Sequence, residues 1–164
     1  TSIASDKKLE DLNRIVREVV DNELVGLSEK LHLELMPVPL IQLDAEEIER
    51  VLQNLVLNAQ QAISSEGSIW IRTAAHDGMV EFTVADNGKG MSRQFLENEL
   101  FLPFHTTKSD GLGIGLFQTQ KIIKAHNGKI RVDSVEGKGT TITIEFPSGA
   151  RESGTTVEQS ERSS

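Results

Sequence analysis

The stretch from Asp44 to Ile63 constrains the fold more than any other part of the chain. Asp44 stands where a helix N-cap belongs, and Glu47 follows three residues on, close to a capping box. Ile48, Val51, Leu52, Leu55, Val56, Ala59, Ala62 and Ile63 then give one broad apolar face. A helix with so wide a face needs a second layer to cover it. The next segments can supply one. SIWIRTA (68–74) and MVEFTVA (79–85) read as strands, joined at His76-Asp77-Gly78, where Asp-Gly is a hairpin signal. Val80, Phe82 and Val84 share one face of the second strand.

Other elements fit the same plan. From Leu9 to about Lys30 the chain opens helically, with Leu12, Ile15, Val16 and Val19 on one face. LHLEL (31–35) alternates as a half-buried strand does, and Pro37 and Pro39 favour extended backbone after it. Ser92 to Leu100 reads as a short helix or turn, and Phe101 to Leu112 as loop. Leu116 to His126 reads as a helix that stops at Asn127-Gly128. Ile130–Val132 and Thr140–Phe146 are strands around a glycine-rich turn. Past Pro147 the chain is polar and expected to be disordered. The order predicts an α/β (α+β) two-layer sandwich, a mixed sheet packed against about three helices. The domain is expected over 9–147, with a linker at 1–8 and a polar tail at 148–164.

Composition narrows the function. At 164 residues the chain fits one domain with a core of its own. Without cysteine it has no disulfide, thiol nucleophile or cysteine zinc site. A net charge of −8 argues against a basic face for nucleic acid. No apolar run reaches the ~20 residues of a membrane span, and TSIASDKKLE lacks a signal peptide's apolar stretch. One local basic stretch stands out: Lys108, Lys121, Lys124, Lys129 and Arg131 face only Asp110 within 101–131. It suits an anionic ligand or a solvated helix face equally well.

Three polar groups are candidates for chemistry. Asn54 and Asn58, four residues apart, stack beside the apolar face of their helix, and Gln61 joins them. Carboxamide oxygens suit a hard cation such as Mg²⁺, though surface amides are the plain alternative. Asp86-Asn87-Gly88-Lys89-Gly90 ends a buried strand, where a carboxylate can accept from an exocyclic amine. A simple Asp-Asn-Gly turn would look the same. Gly111-Leu112-Gly113-Ile114-Gly115-Leu116 runs into a helix, whose free N–H groups suit a phosphate, and a plain glycine-rich loop is an equal alternative. The dinucleotide fingerprint fails there, because Leu116 holds the third glycine position and FLPFHTTKSD is not a strand.

Taken in order, these groups resemble the catalytic ATP-binding domain of sensor histidine kinases. NLVLNA (54–59) matches that family's N box, DNGKG (86–90) its G1 box, FLPF (101–104) its F box and GLGIGL (111–116) its G2 box. The closing AHNGKIRVDSVEGKGTTITIEFP resembles the family's end. The resemblance implies the Bergerat sandwich shared with DNA gyrase and mismatch-repair ATPases, with ATP and Mg²⁺ as ligands. It implies that Asp86 accepts from the adenine amino group, with Gly88, Gly90 and Thr140 at the adenine pocket. Asn58 is expected to ligate Mg²⁺ bridging the phosphates, with Gln61 beside it, and Asn54, Asn58 and Lys108 are expected as the catalytic residues. Gly111, Leu112, Gly113, Ile114, Gly115 and Leu116 are expected to form the lid hinge and offer N–H groups to phosphate. Phe101 and Phe104 would anchor the lid, and Thr107 and Lys108 lie within it, Lys108 reaching for the β- or γ-phosphate.

Asn54 separates kinase from hydrolase in this resemblance. Gyrase-like relatives carry a glutamate there as general base, and an amide cannot take a proton near neutral pH. The expected reaction is γ-phosphoryl transfer to a histidine, with slow hydrolysis. None of His32, His76, His105 and His126 heads the family's phosphoacceptor motif. The implied partners are therefore the dimerisation helices of a parent kinase and a downstream response regulator. The domain is expected to be cytoplasmic and monomeric, within a homodimeric parent compatible with membrane anchoring. The alternatives are a serine kinase of the anti-sigma type and a non-catalytic nucleotide-binding module.

Overall fold

The computed structural model of the chain describes residues 6–98, 100–101 and 113–148, with residues 113–115 described by their backbone alone. In chain order the elements are β1 (Lys8–Glu10), α1 (Leu12–Glu23), a 3-10 turn (Val25–Leu27), β2 (Leu31–Leu35), β3 (Ile41–Leu43) and α2 (Ala45–Ala62). There follow β4 (Ile69–His76), β5 (Met79–Asp86), α3 (Arg93–Asn98), α4 (Gly113–Ala125), β6 (Lys129–Val135) and β7 (Gly139–Pro147). Five strands form one mixed sheet in the order β2-β4-β5-β7-β6, in which β2 and β4 run parallel and the other pairs antiparallel. β1 and β3 pair as a separate antiparallel ribbon.

The core lies between one face of this sheet and the helices. α1 contributes Leu12, Ile15, Val16 and Val19, and α2 contributes Ile48, Val51, Leu52, Leu55, Val56 and Ala59, all buried. The sheet answers with Ile69 and Ile71 from β4, Val80, Phe82 and Val84 from β5, and Ile142, Ile144 and Phe146 from β7. Each such side chain, fully buried, contributes about 1.5–3 kcal/mol. This is the expected two-layer arrangement.

Local chemistry sets the boundaries. Asp44 Oδ1 accepts from the backbone N–H of Glu47 at 3.2 Å, the cap expected from the sequence. The β4–β5 hairpin turns through Asp77 and Gly78, both at positive φ (50° and 76°), as a two-residue loop requires. α4 ends in a Schellman motif. Asn127 takes φ 61°, its N–H donates to the Lys124 carbonyl, and that of Gly128 to the Ile123 carbonyl.

Three expectations change. The first helix is shorter than 9–30: Asp11 caps it through a bond from the Asn13 N–H, and after Glu23 the chain tightens into the 3-10 turn. Leu9 lies instead in the β1 ribbon, 60% exposed. α4 starts at Gly113, so its first turn includes the glycines that the sequence placed before it. Residues 6–8, assigned to a linker, are bonded to the domain. Asp6 N–H donates to Asp44 Oδ2 at 2.7 Å, Lys7 Nζ donates to the Ala125 carbonyl at 2.7 Å, and Lys8 opens β1.

Candidate functional site

β5 alternates so that Val80, Phe82, Val84 and finally Asp86 point to the helix side of the sheet. Asp86 is therefore a carboxylate at the end of an apolar row. Burial pushes its pKa above the ordinary carboxylate value, against backbone hydrogen bonds from Gly88 and Thr140 that pull it down. The Gly88 N–H donates to Asp86 Oδ1 at 2.8 Å. A desolvated carboxylate still open to a ligand is a strong acceptor for a donor that shares its burial.

The loop after Asp86 is stitched on both sides. Lys89 N–H donates to the Ala62 carbonyl of α2 at 3.0 Å, and Gly137 N–H to the Lys89 carbonyl at 2.7 Å. Asn87 Oδ1 accepts from the Ser68 N–H at 2.8 Å. A Cβ on Gly88 would sit 2.3 Å from the Ala62 carbonyl oxygen, and one on Gly90 (φ 71°) 2.2 Å from that of Val135. Both glycines let the loop pass against the protein's own backbone, which holds Asp86 in place.

Thr140 stands opposite Asp86 in the β5–β7 register and is 7% exposed. The asparagines lie on α2, the helix whose Ala62 carbonyl holds the Asp86 loop. Asn58 is 6% exposed, and its Nδ2 has no hydrogen-bond partner among the described residues. Asn54, one turn earlier, is half-buried, whereas Gln61 is exposed. On α4, Leu116 is fully buried, and Thr119 is fully buried with an unpartnered Oγ1. Gly113, Ile114 and Gly115 form the first turn of α4, where backbone N–H groups lack intrahelical acceptors. Phe101 packs half-buried against the core. Phe104, His105, Thr107, Lys108, Gly111 and Leu112 lie outside the described residues.

These features fit an adenine nucleotide with a hard cation. A buried amide donor without a partner suits a phosphate oxygen, while the same carboxamide's oxygen suits Mg²⁺. Among the described residues no group of three or more His, Asp or Glu could hold a metal ion. A cation would thus depend on the asparagine together with phosphate oxygens. Next to the Asp86 loop, a cavity of about 470 Å³ opens between α3 and β6, lined by Met91, Leu96, Val132 and Ser134 among others.

The histidines have other roles. His32 stacks on Trp70 with ring centres 5.5 Å apart, and His76 lies 3.7 Å from both Asp77 and Glu81. His126 is buried and hydrogen-bonded through both ring nitrogens. Ser134 was missed in the sequence. Its Oγ touches the Met91 N–H, the Gly139 carbonyl and the Thr140 hydroxyl. The signal was there: Ile130, Val132 and Ser134 alternate on the inner face of β6, so Ser134 is a polar residue at an inward position.

Comparison with known proteins identifies the family. Residues 43–150 match the family described as histidine kinase-, DNA gyrase B- and HSP90-like ATPase. Sensor histidine kinase ZraS of Salmonella typhi is 46% identical over 114 residues, which cover 68% of this chain and 24% of the relative. The catalytic domain of histidine kinase ThkA superposes with a TM-score of 0.76 at 30% identity, covering 87% of this chain and 95% of that one. ThkA in complex with the response regulator protein TrrA superposes with a TM-score of 0.72 at 27% identity, covering 86% of this chain and 41% of that one. The chain spans about a quarter of the length of ZraS. The match over residues 43–150, more than half of the sequence, makes this chain a member of the histidine kinase-, DNA gyrase B- and HSP90-like ATPase family.

Proposed function

We propose that this domain binds Mg-ATP and presents its γ-phosphoryl group to a histidine on the dimerisation helices of a sensor kinase. The observation that carries the reading is Asp86, a carboxylate desolvated at the end of an apolar strand and held by Gly88 and Thr140. In this reading Asp86 accepts from the adenine amino group, with Thr140 beside it and Gly88 and Gly90 fixing the loop. Asn58 holds the cation and a phosphate oxygen, and Gln61 flanks them. The first turn of α4 offers N–H groups to the phosphates, and the resemblance assigns Gly111, Leu112 and Leu116 to the same phosphate-binding box and Thr107 and Lys108 to lid contacts. Mg²⁺, when bound, neutralises charge on the phosphate oxygens.

Asn54 favours transfer over hydrolysis. Its amide can orient a nucleophile but cannot take a proton from water. The names of ZraS and ThkA, both histidine kinases, support the histidine as acceptor, and the ThkA–TrrA complex supports a response regulator downstream.

The test supplies a separately purified helical dimer that bears a phosphoacceptor histidine, with labelled ATP. The expected result is acid-labile phosphate on that histidine, lost with Asn58→Ala. Acid-stable phosphate on a serine would favour the anti-sigma type instead. ATP binding without transfer to any acceptor would favour a non-catalytic module.

A further inference from the structure

Ser134 Oγ takes part in three hydrogen bonds, and its single proton determines how they must run. The Met91 N–H can only donate, at 2.9 Å, so Ser134 accepts there. The Gly139 carbonyl can only accept, at 3.1 Å, so the Ser134 proton goes to it. The third contact, to Thr140 Oγ1 at 2.7 Å, is then satisfied only if Thr140 is the donor. Thr140 has one hydroxyl proton, and it is turned away from the site. What Thr140 can still offer is its remaining lone pairs.

Thr140 stands opposite Asp86 in the β5–β7 register, on the same face of the sheet. Asp86 is an acceptor, and with its proton committed to Ser134, Thr140 is one too. We propose that Ser134 is a positioning residue for base selection: by drawing the Thr140 proton to itself, it leaves an all-acceptor edge at Asp86 and Thr140 that favours a 6-amino purine over a 6-oxo purine. This rests on the reading of Asp86 as the base-binding group. A 6-amino group brings protons to that edge. A 6-oxo group brings lone pairs against it, which a freed Thr140 hydroxyl could rotate to answer; the N1 proton of a 6-oxo purine lies one ring atom away and supplies no donor at the 6-position.

The probes are ADP and inosine diphosphate, which differ at the 6-position of the base and its N1 proton, titrated calorimetrically into the whole domain. Wild type should prefer ADP. Ser134→Ala should narrow that preference by about tenfold, the size of one buried hydrogen bond, while Ser134→Thr retains it. Thr140→Val should narrow it too, and Ser134→Ala added to Thr140→Val should change it no further. A Ser134→Ala that weakens both nucleotides equally would mean a merely structural serine and overturn the proposal. So would further narrowing in the Thr140→Val background. Should Ser134→Ala not fold, an unchanged preference in Thr140→Val alone would also overturn it. Absence of ADP binding by wild type would instead remove the Asp86 reading underneath.

Discussion

The backbone N–H of Asp44 donates to Nε2 of His126 at 3.0 Å, joining residues 82 positions apart. The other ring nitrogen, Nδ1, lies 2.9 Å from the Ile122 carbonyl, which can only accept. Nδ1 therefore carries the proton and the imidazole is neutral, in one tautomer. This bond ties the start of α2, which carries Asn54 and Asn58, to the end of α4, whose first turn holds Gly113 and Gly115. The Asp44 carboxylate meanwhile accepts from Asp6, so the residues leading into β1 reach the same junction.

Replacing His126 by alanine leaves the buried Asp44 N–H without an acceptor. The expected cost is about 1–3 kcal/mol from that lost partner alone, with a further loss from the space the ring vacates. Urea unfolding should show a lower midpoint. An unchanged midpoint would show that the junction carries no stability.

Asp44 should also shape the acid limb of stability. Burial pushes its pKa up, but hydrogen bonds from the backbone N–H groups of Asp6, Glu47 and Glu46 outweigh it and hold the group below the ordinary carboxylate value. A carboxyl depressed in the folded state contributes stability above its unfolded pKa. That contribution is lost as pH falls through the folded pKa. Asp44→Asn should therefore flatten the fall in Tm on acidification relative to wild type. Parallel curves would contradict the assignment.

Asn58 predicts a dependence on the cation. In wild type, Mg²⁺ should strengthen binding of ADP, because the carboxamide and the phosphates share the ion. Asn58→Ala should abolish most of that strengthening and change ADP binding in chelator far less. Titrations with and without Mg²⁺ check this, and an undiminished Mg²⁺ effect in the variant would place the cation elsewhere.

Periodicity made most of the two-layer fold legible. The apolar face of α2, the β4–β5 hairpin and the α4 stop at Asn127-Gly128 all rest on local rules of spacing and turn chemistry, and all appear as expected. What sequence could not carry were long-range choices. Leu9 satisfies a helical spacing, yet the Asp11 cap and pairing with Gln42 in β3 draw it into a strand. Gly88 and Gly90 are legible as turn residues, but the Ala62 and Val135 carbonyls they pass against are set by the fold. The link between His126 and Asp44 joins residues whose contact depends on the finished fold, and no local spacing encodes it. The hydroxyl pair of Ser134 and Thr140 is local, six residues apart across the β6–β7 hairpin, and depends on the register of that hairpin.

The account depends most on Asp86 as the group that reads the base. Burial raises its pKa, so the ionised form costs the empty domain stability as pH rises through that value. Asp86→Asn should thus leave the Tm of the free domain no lower than wild type near neutral pH. In wild type, ADP affinity should weaken on acidification from above the ordinary aspartate range, as the acceptor is protonated.

The most direct measurement is calorimetric titration of Mg-ADP into wild type and Asp86→Asn. Loss of a hydrogen bond to a charged group costs about 1.5–3 kcal/mol, which predicts roughly ten- to a hundredfold weaker binding in the variant, with its thermal unfolding intact. An equal Kd for the two proteins would contradict the account.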